Sequence, residues 1–338
     1  MRIFWEFRSN IRELEYYHKY KDLKTFKENC HDYYMLFPLW LLENNYFDVV
    51  YIWRLTKTPR KDITFNVNGK KYIQRWVTNF RETFKSPSPE ISFFRGGFPE
   101  YDEITRTKPE HFGKKLYLGA GRRIFPQWRG IYDAFLIEDE RDDVKNVNCV
   151  PFYKTASPSI FRPLDLEKRW DICWPCNFTQ LKYKGQKLFL SLIEKTPELQ
   201  KLKIVHCGNK PEVGKSLCKR MGITNIKFLG HIERKKLNEI LNMSRFGLNL
   251  SNMTDGCPRI STEVLISGTP LILRDTVRLL DYYRNAGIVN TDGLNLVKNI
   301  AWAIDNYPPL YFELLESIRG DLSFDFINQK NIELWKKI

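Results

Sequence analysis

Long apolar runs are missing from this 338-residue sequence. No stretch approaches the roughly 18 to 20 apolar residues of a membrane-spanning helix, so none is expected. The segment YMLFPLWLL at 34–42 is apolar but short and broken by Pro38, and reads as a buried helix, with a membrane-facing one as the alternative. The opening MRIFWEFRSNIRELEYY carries charge too early for a cleavable signal, so a cytoplasmic protein is expected, with peripheral contact at an anionic membrane as an addition. Histidine is scarce, at 5 residues, and the 7 cysteines fall at irregular spacings, which excludes a secreted disulfide framework. Cys173 and Cys176 have CxxC spacing but stand alone, with no second pair and no histidine at ligand distance. They read as a strand running into a loop in a reducing compartment, not as a zinc or redox site. No Gly-rich phosphate loop follows the first strand, and no paired-carboxylate metal motif sits at a strand end, so no obligatory metal is expected.

What is present is charge and aromatic bulk. A formal net charge of +14 favours anionic partners, among them a sugar nucleotide, a phospholipid surface or nucleic acid. The lysines are scattered and form no continuous stripe, so nucleic acid is not an expected partner. The 23 Phe, 17 Tyr and 9 Trp fit large cores, an aromatic-lined acceptor cleft, or a compositional bias. With 43% hydrophobic and 28% charged residues, the chain reads as globular and long enough for two domains.

In the N-terminal half, residues 1–7, 47–55, 63–69, 91–100, 115–121, 132–140 and 147–152 read as strands, several running into glycines. Their ends place Arg95, Gly96, Gly97, Gly121, Arg122 and Arg123 where glycine admits close backbone approach and arginine can pair with phosphate or acceptor. Glu138, Asp139 and Glu140 read as an acidic surface loop, with the orienting of an acceptor hydroxyl as the alternative, and His111, lying before its strand, as non-catalytic. Pro, Ser and charge from 150 to 169 mark a boundary. Beyond it, strands at 170–178, 203–208, 225–232 and 246–250 alternate with amphipathic helices at 187–196, 211–221 and 233–244. The expectation is therefore α/β, with a domain over 1–160, a second over 170–322, and a C-terminal helix over 323–338 that returns to the first domain.

The segment 251–275, SNMTDGCPRISTEVLISGTPLILRD, has the form of strand end, tight loop, short helix, turn and new strand. Its loop lies at the carboxyl end of a strand, where open α/β sheets bind ligands. Asp255, Gly256 and Pro258, then Glu263, then Ser267, Gly268, Thr269 and Pro270 resemble the donor-site signature of GT4-like retaining glycosyltransferases, which use nucleotide sugars. The acid is Asp255 here, where that family usually has glutamate.

The resemblance implies two Rossmann-like domains facing across a cleft (the GT-B type) and transfer of a sugar from a nucleotide-diphosphate sugar to a glycan or glycoconjugate hydroxyl with retention. It implies no obligatory cofactor. Lys184 and Gly185 match the family's diphosphate-binding Lys-Gly, while its arginine position, near Asn177–Gln180, carries no basic residue; Lys182 stands nearby. His231, after Phe228-Leu229-Gly230, matches a residue near the base. Glu263 is suited to two vicinal ribose hydroxyls, because an ionised carboxylate offers paired acceptors. Asp255 and the backbone of Gly256, Cys257, Pro258 and Arg259 would hold the sugar, with Asp255 as the catalytic candidate. A protein that binds or glycosylates nucleic acid, and an inactive two-domain scaffold, are the competing functions.

Overall fold

Strand β1 (Ile3–Arg8) shows how the first sheet is covered. Its alternate residues Ile3, Trp5 and Phe7 join one buried cluster with Val49, Trp53, Phe94 and Tyr117. Phe4, one step out of phase, faces the other way and packs beside Phe47, Phe93 and Trp335. A strand buried on both faces is what a parallel sheet with crossover helices requires. The structure, a computed structural model, describes residues 1–8, 20, 22–57, 60–95, 99–118, 128, 130–138, 147–179, 184–251, 259–275, 287–292 and 294–338.

The chain divides into two units, Met1–Tyr153 with Asn328–Ile338, and Lys154–Ile327. The first contains β1, β2 (Val49–Leu55), β3 (Ile63–Val67), β4 (Lys70–Val77), β5 (Ile91–Arg95), β6 (Lys114–Leu118), β7 (Ala134–Ile137) and β8 (Cys149–Pro151). They form one sheet in the order β3-β4-β2-β1-β5-β6-β7-β8. All pairs are parallel except β3 and β4, a hairpin turned by Asn68 (φ 51°) and Gly69 (φ 81°). Two positive φ values in succession suit the Asn-Gly pair read from the sequence.

The helix Tyr33–Glu43 starts at Asp32, whose carboxylate accepts from the Tyr34 amide, and every residue from Tyr33 to Leu42 is buried in this unit. Among the described residues no helix is long and apolar enough to cross a membrane. Glu138 departs from the surface-loop expectation: it is 3% exposed and accepts from the Tyr34 hydroxyl. Asp139 and Glu140 lie outside the described residues. His111 is held by Ser88 and Thr83 and sits edge-on to Trp5, a packing role.

The second unit is a six-stranded sheet of β9 (Trp170–Pro175), β10 (Ile204–Cys207), β11 (Ile226–Gly230), β12 (Ser244–Asn249), β13 (Leu271–Arg274) and β14 (Ile288–Thr291). The order β11-β10-β9-β12-β13-β14 is wholly parallel. Counted from β9 this is 3-2-1-4-5-6, the doubly wound order, whose direction reverses between β9 and β12. Helices Gln186–Lys195, Pro211–Arg220, Arg234–Asn242, Arg259–Ile266 and Leu296–Asp305 intervene between or follow its strands. β4, β14 and the helix Tyr307–Arg319 are additions to the elements legible in the sequence.

The last helix, Phe324–Trp335, begins in the second unit and ends in the first. Asn331 clasps the Tyr153 backbone, accepting from its N–H at 2.9 Å and donating to its carbonyl at 2.7 Å, and donates to the Tyr33 hydroxyl. The Tyr33 hydroxyl donates in turn to Asn328. Trp335 is 2% exposed among Phe4, Phe37, Phe93 and Phe152. Trp335→Ala should therefore destabilise the first unit by about 3–5 kcal/mol, the usual cost of emptying a buried aromatic site. Chemical denaturation followed by circular dichroism checks this; an unchanged midpoint would show that the helix is not docked.

Candidate functional site

Four residues singled out from the sequence come together in the second unit. Lys184, His231, Arg259 and Glu263 all line one cavity of about 470 Å³. Its walls also include Cys176 and Asn177 after β9, Gly208 and Asn209 after β10, and Leu250 after β12. These are carboxyl ends of parallel strands on both sides of the reversal point, the place where a doubly wound sheet leaves a crevice.

Two glycines make the crevice possible. Gly185, at φ 71°, precedes the helix Gln186–Lys195, and a Cβ there would lie 2.2 Å from the Leu250 carbonyl oxygen. A Cβ on Gly208 would lie 1.8 Å from the Cys176 oxygen. Neither position accepts a side chain without moving backbone. The Lys-Gly pair therefore has two parts: Gly185 seats the helix start against the end of β12, and Lys184 stands beside the cavity. Asn177, at the place where the resemblance implies an arginine, is a structural latch. Its side-chain oxygen accepts from the Asn209 amide at 2.8 Å, and its carbonyl accepts from Gln186 at 2.8 Å.

Glu263 occupies the helix Arg259–Ile266 and is 1% exposed. Its Oε2 accepts from Arg234 Nη1 at 2.8 Å. Its Oε1 is buried and has no hydrogen-bond partner among the described residues. Burial pushes the carboxyl above the usual carboxylate range, while Arg234, Arg259 and Lys154 pull it back. A buried polar atom without a partner is costly, and Glu263 stands at the wall of the cavity. Arg234, at the first position of the helix Arg234–Asn242, is a site residue that the sequence reading misses. The signal available is indirect: a glutamate beside the apolar Val264 and Leu265 calls for a cation.

The Ser-Gly-Thr-Pro turn after this helix is a clamp, not a contact. Ser267 donates to the Glu263 carbonyl, Thr269 donates to the Leu241 carbonyl, and the Pro270 carbonyl accepts from the Gly247 amide. Gly268 takes φ 77° to close the turn. The effect is to fix the helix that carries Glu263 against β12 and β13.

Cys176 and His206 meet at 3.6 Å by the cavity. Burial raises the Cys176 thiol above its ordinary range and lowers His206 to about 4, so the pair is neutral near pH 7. A hydrogen bond with Cys207 and burial raise the Cys173 thiol also. Among the described residues no group of three or more His, Cys, Asp or Glu could hold a metal ion.

Arg95 belongs to the first unit, where its guanidinium stacks 3.7 Å from the centre of the Tyr34 ring. Asp255, Gly256, Cys257, Pro258, Lys182, Gly96, Gly97, Gly121, Arg122 and Arg123 lie outside the described residues.

No family model matches the sequence, and no curated protein sequence matches it. Solved structures match closely in shape. A glycosyltransferase from Rickettsia africae has TM-score 0.72 at 11% identity, over 99% of this chain and 98% of its own. Sucrose-phosphate synthase from Thermosynechococcus elongatus has TM-score 0.65 at 10% identity, over 100% of this chain and 99% of its own. Anabaena HepE, solved in complex with UDP and glucose, has TM-score 0.66 at 8% identity over 100% of both chains. At such identities the likeness speaks to the fold alone, and the fold is that of the glycosyltransferases with two Rossmann-like units, the GT-B type.

Proposed function

We propose that the protein is a glycosyltransferase that takes a sugar from a nucleotide-diphosphate donor and transfers it to a carbohydrate or glycoconjugate hydroxyl with retention of configuration. One observation carries the reading: Lys184, His231, Arg259 and Glu263 share one cavity at the reversal point of a doubly wound sheet, with a buried acceptor atom of Glu263 left without a partner among the described residues. The second unit would hold the donor and the first unit the acceptor. The known structures of this fold include one solved with UDP and glucose, which agrees with a nucleotide-sugar ligand.

The chemistry follows from what a sugar nucleotide demands. Lys184 and the N–H groups that begin the helix Gln186–Lys195 offer positive charge and donors to the diphosphate. Glu263 accepts from the ribose hydroxyls, and His231 borders the base. Asp255, with the backbone from Gly256 to Arg259, bears on the transferred sugar. As the bond from the anomeric carbon to the diphosphate oxygen breaks, negative charge grows on the leaving group, and fixed donors near Lys184 and Arg259 stabilise it more than they stabilise the bound donor.

Lys184→Ala should weaken donor binding by about 1.5–3 kcal/mol, as for loss of a hydrogen bond to a charged group, with the fold intact. Titration calorimetry with a panel of UDP-, GDP- and CDP-sugars measures it; unchanged affinity for every donor would remove the diphosphate role. Asp255→Asn should leave affinity for the plain nucleoside diphosphate nearly intact while lowering kcat on the order of 10²-fold, since its partner is the sugar near the transition state. Equal weakening of plain nucleotide by Asp255→Asn and Glu263→Gln would overturn that division.

Glu263→Gln should exchange function for stability. Because burial raises the carboxyl in the folded state, its stabilising contribution is fully present below the unfolded value near 4.3 and is lost as pH rises through the folded value. The ligand-free Glu263→Gln variant should accordingly be at least as stable as wild type near neutral pH, yet bind nucleotide and nucleotide sugar more weakly. Melting curves near pH 5 and pH 7.5, with and without nucleotide, check both halves. A large loss of ligand-free stability at the higher pH would assign Glu263 to the architecture.

A further inference from the structure

The ion pair between Arg234 and Glu263 carries an inference that deepens the donor-site reading and rests on it. Glu263 is 1% exposed and meets little solvent beyond the cavity it lines, so its charge depends chiefly on its neighbours. Among the described residues, the one hydrogen bond to its carboxylate comes from Arg234, and it goes to Oε2 alone. That bond fixes the carboxylate plane and leaves Oε1, with both its acceptor sites, for something else. Arg234 and Glu263 line the same cavity, and the Arg234 side chain is one third exposed, so this cation stands where the ligand is expected and is not sealed within the core. Arginine suits the task because its planar guanidinium is always charged and directs its donors in fixed directions.

We propose that Arg234 is a positioning residue of the ribose subsite, holding Glu263 ionised and turned so that Oε1 accepts from the ribose hydroxyls of the nucleotide. The groups that face Glu263 electrostatically are Arg234 from the helix Arg234–Asn242, Arg259 from its own helix, and Lys154 from the segment that opens the second unit. Lys184 and His231 line the same cavity. Among the described residues, Arg234 alone combines charge with a hydrogen bond to the carboxylate. Its loss leaves a buried carboxyl with weaker cationic support, which takes up a proton at higher pH and ceases to be a strong double acceptor. Selectivity for ribose hydroxyls then becomes a property that titrates.

The test compares wild type, Arg234→Met, Arg234→Lys and the double variant Glu263→Gln with Arg234→Met. Calorimetry measures binding of UDP, GDP and CDP and their 2′-deoxy counterparts from about pH 5.5 to about pH 8.5. Wild type should prefer the ribonucleotide. Arg234→Met should lose roughly 10- to 100-fold in ribonucleotide affinity at neutral pH and less in 2′-deoxynucleotide affinity, because only the 3′-hydroxyl is left there to bond Glu263. Its remaining preference should grow as pH rises, displaced upward from the wild-type profile by about one pH unit or more. Arg234→Lys, which keeps the charge, should restore most of the profile. The double variant should bind no worse than Glu263→Gln, because the residue acts through Glu263.

Equal weakening of ribo- and deoxynucleotides with an unmoved pH profile would overturn the proposal, as would additive losses in the double variant. Should Arg234→Met fail to fold by circular dichroism, Arg234→Lys decides: a retained profile supports the assignment and lost selectivity overturns it. If wild type binds no nucleoside diphosphate, the donor-site reading fails and this inference with it. Binding with ribose selectivity that ignores Arg234 removes only this inference.

Discussion

A carboxylate buried at the carboxyl ends of parallel strands costs free energy in the ligand-free protein, and much of the second unit is arranged around that cost. Glu263 is held on a short helix whose exit is clamped by Ser267, Gly268, Thr269 and Pro270, which fixes the backbone that carries the carboxylate. Arg234 offsets part of the desolvation through one oxygen, and the other is left with an unmet demand among the described residues. The rest of the crevice follows the same logic. Gly185 and Gly208 bring backbone within distances that no Cβ would survive, which lets the strand ends converge on one cavity.

The first unit is built differently. Its sheet is covered by aromatic side chains on both faces, with Phe7 stacked 4.6 Å from Phe94 on one side and Trp335 inserted among phenylalanines on the other. The aromatic richness of the sequence is thus largely core. The C-terminal helix belongs to this packing, because Asn328, Asn331 and Trp335 all find their partners there. The two units therefore share chain at both Tyr153 and Ile327, although each has its own sheet.

How far the sequence reveals this depends on the kind of signal. Strands such as Val49–Leu55 and Ile204–Cys207 are legible because buried parallel strands read as apolar runs bounded by polar turns. Lys70–Val77 is obscured by its two lysines and by Gln74, which is wholly buried. The helix Tyr307–Arg319 is hidden by Pro308 and Pro309, although proline suits a first turn. Glu138 misleads because three consecutive acids look like a solvated loop, whereas one of them takes the Tyr34 hydroxyl. Lys184 and Glu263 can be singled out by motif. Arg234 cannot, because Glu-Arg-Lys-Lys at a helix start has the appearance of surface charge and its partner lies 29 residues away.

The proposed nucleotide sugar would occupy the cavity of the second unit. Hydrogen–deuterium exchange of the wild-type protein, with and without saturating UDP-, GDP- and CDP-sugars in turn, tests it most directly. At least one donor should slow exchange at the start of the helix Gln186–Lys195, after β10 and β11, and through Arg259–Glu263, with little change in the first unit's sheet when no acceptor is present. Protection confined to the first unit, or no protection by any donor, would contradict it.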